Sequence, residues 1–126
     1  MEQEEYLANT QNRLENVVSD IIAMNDADDR MMAIMETLND TVVTVPDIGR
    51  FYTFIYDPKT PRIRYDEFPL IACVGLFRWG FRGINYHWPG FRNYDWQQSI
   101  GNLYQAFPME INDLRSIPYQ NFKINN

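Results

Sequence analysis

The chain has 126 residues, of which 45 % are apolar and 22 % charged, with a net charge of −6. That is enough for one folded core, and the overall balance is too acidic for a general binder of nucleic acid. A single cysteine, Cys73, and a single histidine, His87, exclude an internal disulfide, a zinc site of several thiolates and any His–His metal motif.

The charge is divided unevenly. Residues 1–50 carry 11 Asp/Glu and 3 Arg, whereas residues 51–126 carry 6 Asp/Glu and 8 Lys/Arg, 6 of them Arg. The aromatic residues, 15 % of the chain, lie almost entirely after residue 50. The start, Met1-Glu2-Gln3-Glu4-Glu5, is acidic where a signal peptide is basic, and no apolar run reaches the roughly 20 residues that span a bilayer. The expectation is a soluble protein made in a cytoplasm, with no membrane contact.

In chain order, residues 4–24 read as a helix. Leu7, Thr10, Leu14, Val17, Ile21 and Met24 alternate spacings of three and four, the a/d pattern of a heptad. Three heptads are marginal alone, so this helix needs a partner surface. Asn25 to Asp29 stop it and start another, with Asp26 or Asp28 as the cap. The second helix is expected over about Asp28 to Asn39, with Met31, Met32, Ile34, Met35 and Leu38 on its apolar face. That face serves either as an ordinary hairpin core or as a docking surface for other subunits, a role for which Met suits well.

Thr41 to Val45 is a candidate short strand, and Phe51 to Tyr56 a strong one by its β-branched and aromatic run. Asp57 to Pro61 is turn chemistry, and Arg62 to Tyr65 a candidate alternating strand. Leu70 to Phe77 is apolar on both faces, as a central buried strand is. Gly80 and Gly83 are read as bracketing a turn, Ile84 to Trp88 as a returning strand, Trp96 to Phe107 as helical, and Pro108 to Asn126 as an extended tail. The fold expected is α+β: an acidic helical hairpin or arm over residues 1–45, then an aromatic-rich antiparallel sheet or SH3- or OB-like barrel with a short helix over 46–107, and an extended tail over 108–126.

The chemistry-bearing residues are few. A Cys–His pair is the only conventional nucleophile–base option, and Cys73 sits in the most apolar strand, where a thiol behaves as a small hydrophobe. Asp66 and Glu67 are adjacent, and adjacent residues on extended chain point apart. No phosphate-loop glycine spacing exists. The sequence predicts no catalytic, cofactor-binding or metal-binding residue and no small-molecule substrate. Arg78-Trp79-Gly80-Phe81-Arg82-Gly83 is the most unusual segment. Arg beside aromatics is the composition of protein hot spots, and also of surfaces that stack single-stranded bases. The candidate interface residues are Leu7, Leu14, Ile21, Met31 and Met35 on the arm, with Arg78, Trp79, Phe81, Arg82, Trp88 and Arg92 in the β region.

Three ordered blocks carry a resemblance: Tyr56-Asp57-Pro58-Lys59-Thr60, then Tyr65-Asp66-x-Phe68-Pro69-Leu70-Ile71, then Gly80-Phe81-x-Gly83-Ile84-Asn85-Tyr86-His87. They resemble a segment in small structural proteins of contractile-tailed bacteriophages related to the T4 group and to cyanophages. The resemblance implies a virion component of tail or baseplate type that assembles with itself or with other structural subunits, and it supplies no catalytic residues. A head or neck protein touching DNA, or a small host-directed regulatory protein, are the alternatives.

Overall fold

A computed structural model of the chain describes residues 11–56, 68–87, 90–97 and 99–117. Helix α1 is Val18–Ile22 and α2 is Ala27–Thr37, followed by a 3-10 turn at Asn39–Thr41. The strands are β1 Val42–Val43, β2 Phe51–Tyr56, β3 Leu70–Leu76, β4 Gly80–Asn85, β5 Phe91–Asp95 and β6 Ser99–Ala106. A 3-10 turn at Pro108–Glu110 leads into α3, Ile111–Ser116. The class is α+β. All six strands form one antiparallel sheet in the order β1-β6-β2-β3-β4-β5.

The sheet is open, with β1 and β5 at its edges, so a closed SH3- or OB-like barrel is not formed. It is nonetheless curled. Three strand spacings, about 14 Å in a flat sheet, separate β2 from β5. Yet the ring of Tyr56 on β2 lies 5.0 Å from that of Tyr94 on β5, and its hydroxyl accepts from the Asp95 N–H at 3.4 Å. The concave face thereby collects a core of Tyr52, Phe54, Ile71, Cys73, Phe81, Tyr94 and Leu103. Edge-on ring contacts join Phe54 to Phe81 at 5.6 Å and to Tyr94 at 5.4 Å.

The opposite face meets the helices. Leu14, Ile21, Met31, Ile34 and Leu38 from the N-terminal segment pack with Phe68, Leu70 and Ala106 of the sheet region and with Leu114 and Ile117 at the C-terminal end. Whether the arm folds on its own sheet, open at the level of sequence, is thus answered by one core drawn from all three segments.

Several expectations need correction. The first helix is far shorter over its described part: residues 13–17 form turns, and regular helix starts at Val18. The cause is tertiary. The Arg13 N–H donates to the Glu110 carboxylate at 2.7 Å and the Leu14 N–H to the Asn12 side chain at 3.0 Å, so side chains take amides that a helix would use. The second helix agrees with its expected span, and Asp26 caps it by accepting from the Asp28 N–H at 2.8 Å. Its buried face differs, because Arg30 is inside and Met32 is exposed.

Gly80 and Gly83 lie within β4 and do not bracket a turn. A Cβ on Gly80 would run into the Tyr94 carbonyl, and one on Gly83 would sit 2.6 Å from Ile71 Cδ1, so both glycines permit close strand approach. Trp96 to Phe107 is not helical: Trp96 follows β5, and β6 occupies Ser99–Ala106. β6 is bonded on both flanks, to β1 (Val42 opposite Tyr104) and to β2 (Phe51 opposite Ala106). Pairing on two sides satisfies its backbone better than weak helical periodicity does. The extended tail is also corrected, since residues 108–117 are mostly helical and bury Leu114 and Ile117. The expected strand at 62–65 and the outer part of the tail lie outside the described residues.

Candidate interaction surface

The β3–β4 hairpin turns on Arg78 and Trp79, closed by Phe77 N–H to Gly80 O at 2.8 Å and Gly80 N–H to Phe77 O at 3.3 Å. A two-residue turn brings side chains 77 and 79 to the same side, and their rings stack at 4.9 Å with planes only 4° apart. Trp96 fixes the turn from beneath: its indole N–H donates to the Phe77 carbonyl and its backbone N–H to the Trp79 carbonyl, both at 3.2 Å. The Arg82 guanidinium lies 5.1 Å from the centre of the Phe77 ring, and its Nε donates to Asn93 Oδ1 at 2.9 Å. Each group is therefore held by a neighbour and loses little rotamer freedom on contact.

Register shows how far the surface extends. Ile84 is opposite both Ala72 and Phe91, and Asn93 is opposite Arg82. These positions share the face that the helices cover over β2, β3 and β6. Over β4 and β5 the same face is open: Ile84 is 38 %, Phe77 40 %, Trp79 42 % and Phe91 68 % exposed. A strip of apolar rings and arginine results, beside the β5 edge of the sheet.

The candidate interface residues divide on this geometry. Arg78 and Trp79 are exposed, Arg82 and Arg92 half-buried. Leu14, Ile21, Met31 and Phe81 are fully buried in the chain's own cores, and Met35 is partly buried against the first of them. The structure brings Arg78, Trp79 and Arg82 together with Phe77, Ile84 and Phe91, which sequence reasoning left out. Part of the signal is in the sequence: Phe77 directly precedes Arg78-Trp79, and Phe91 stands just after the Pro89-Gly90 stop. Leu7 and Trp88 lie outside the described residues.

Cys73 and His87 occupy different environments. Cys73 is wholly buried in the concave core, where burial pushes its thiol pKa up. His87 sits where β4 meets α3, and its Nε2–H donates to the Arg115 carbonyl at 3.0 Å. Burial lowers its pKa to about 4, against the partial lift from the Arg115 and Leu114 backbone. It lines an open cleft of about 320 Å³ with Tyr86, Asn112, Arg115 and Ser116. Among the described residues no three His, Cys, Asp or Glu side chains are grouped to hold a metal ion, and no helix is long and apolar enough to cross a membrane.

A polar clamp fastens the molecule from within. Glu110, fully buried, accepts from Arg13 Nε and Nη2 at 2.8 Å each, from the Arg13 N–H at 2.7 Å and from the Phe107 N–H at 2.8 Å. Arg13 also donates to Asp40 and Thr41 through Nη1 and to the Gln105 carbonyl through Nη2, with its guanidinium 4.1 Å from the centre of the Phe107 ring. Burial pulls the Arg13 pKa down, but the bonds and charge of Glu110, then Asp40, outweigh it and leave it raised. Arg30 is a second buried anchor, donating to the carbonyls of Ile22, Met24 and Ile117. Compared with family models, curated proteins and solved structures, the chain matches none of them.

Proposed function

We propose that this chain is a non-enzymatic structural subunit of a tailed phage particle, of tail or baseplate type, that works by protein–protein assembly. The observation that carries the assembly part is the pre-set strip of Phe77, Trp79, Arg82, Ile84 and Phe91 on the half of a sheet face that the chain's own helices leave open. Rigid aromatic and Arg side chains lose little entropy on contact and dominate protein hot spots. The neighbouring β5 is an edge strand among the described residues, the position at which strand addition takes place. The particle assignment rests on the three sequence blocks and their resemblance to phage structural proteins.

Nucleic acid is the weaker partner for the same strip. Phe77 is already occupied by Trp79 and Arg82 of its own chain, and the whole molecule is acidic.

The test is incorporation. Mass spectrometry of purified tailed particles should find the chain in stoichiometric amount. Trp79→Ala should remove it from particles while leaving its melting temperature nearly unchanged, since the side chain is exposed. Hot-spot truncation of this kind costs about 2 kcal/mol or more of binding. A chain absent from particles, or a Trp79→Ala chain incorporated normally, would overturn the reading.

A further inference from the structure

We infer that the strip's partner is a second copy of the same chain, which offers it the solvent face of α2. This deepens the assembly reading and rests on it. α2 turns Ala27, Arg30, Met31 and Ile34 inward. Outward it presents Asp29, Met32 and Glu36, at spacings of three and four that stack them along one side of the helix, with Asp28 four residues before Met32 on the same side. Met32 is 62 % exposed in the middle of this acidic row. The result is an apolar centre flanked by carboxylates, and the strip is its counterpart: stacked rings flanked by Arg78 and Arg82.

The chemistry of the two surfaces matches at both levels. Met sulfur packs favourably on aromatic rings, and guanidinium groups pair with carboxylates. Among the described residues neither Arg78 nor Arg82 forms an ion pair, and nor do Asp28, Asp29 or Glu36. Both surfaces are exposed in one chain, so neither covers the other internally. The uneven charge along the sequence then has a use, with the acidic first half of one copy meeting the Arg-rich second half of the next. Such a contact joins unlike surfaces: repeated head to tail it builds rings or longer arrays, and in a two-fold pair it is made twice.

The test uses the full chain and two variants, one with a spoiled helix face (Asp29→Lys with Glu36→Lys) and one with a spoiled strip (Arg78→Gln with Arg82→Gln). Circular dichroism first confirms that each folds, as substitutions at exposed or half-buried positions allow. In sedimentation experiments the unaltered chain should self-associate at low ionic strength and lose roughly tenfold or more in affinity at high salt. Each variant alone should be monomeric. Their mixture retains one intact helix face and one intact strip, so it should form one-to-one pairs and nothing larger. An unaltered chain that stays monomeric, variants that self-associate like it, or a mixture that fails to pair would each overturn the inference. A monomeric chain whose Trp79→Ala variant is still lost from particles would sink the self-contact alone and leave the assembly reading intact, with a different acidic protein as partner.

Discussion

Glu110 and Arg13 show what a single buried pair can decide. The carboxylate has no exposed surface, and Arg13 fills its acceptor sites from the side chain and the main chain together. Removing Arg13 leaves the buried Glu110 carboxylate with backbone N–H donors alone, which costs about 3–5 kcal/mol, whereas Arg13 without Glu110 keeps Asp40. Arg13→Ala should therefore lower the unfolding free energy by about that amount in urea titration, and a loss under about 1 kcal/mol would show that water replaces the guanidinium. His87 gives a prediction in pH. Its folded pKa of about 4 lies below the ordinary 6.5, so between these values the unfolded chain binds a proton that the folded one does not. Stability from this group is complete above pH 6.5 and falls as the pH drops towards 4, by at most about 1.4 kcal/mol per pH unit. Replacing it by Gln, which can still donate to the Arg115 carbonyl, should flatten that part of the stability profile. An unchanged slope would place its proton affinity elsewhere.

At the scale of elements, the legible ones are those whose local pattern and tertiary surroundings agree. β2 has the span that its aromatic run predicts, β3 is one residue shorter than read, and α2 begins at the predicted Asp26 cap. β4 and β6 depart from their sequence expectation for one reason: both are decided by backbones that come from far away in sequence. Gly80 looks like a turn residue, but it is needed because the β5 carbonyl of Tyr94 passes where its Cβ would be. Gly80→Ala must displace the Tyr94 backbone, whereas Gly83→Ala meets the Ile71 side chain at both Cδ1 (2.6 Å) and Cβ (2.9 Å), so that side chain must shift as a whole. The expected cost is about 2–3 kcal/mol for the first and less for the second, read as a difference in urea midpoint. Equal costs would mean that β5 yields as readily as a side chain.

At the scale of the whole molecule, one core joins helices, sheet and C-terminal helix, and two buried arginines tie the segments together across it. Unfolding should therefore be one cooperative transition. Leu114→Ala, at the far C-terminal edge of that core, should cost about 2–4 kcal/mol and lower the single midpoint seen by both aromatic fluorescence and helical circular dichroism. Two separated transitions would show that the helices melt independently of the sheet. Among the described residues the same arrangement leaves the β4–β5 half of the sheet face open, which is why the candidate surface cannot be read from composition alone.

What the sequence determined by itself is local: where aromatic and β-branched runs make strands, where Asp26 starts a helix, that Cys73 is buried, and how charge divides between the two halves. These follow from side-chain preferences that act within a few residues. The tertiary structure alone decided the rest. It chose which of the apolar helix positions are core, made Ser99 to Ala106 a strand, drew Glu110 onto Arg13 across 97 residues of chain, and gathered Phe77, Trp79, Arg82, Ile84 and Phe91 into one strip. The physical reason is common to all four. Burial and hydrogen-bond satisfaction depend on what arrives from distant parts of the chain, and no short-range preference encodes that arrival.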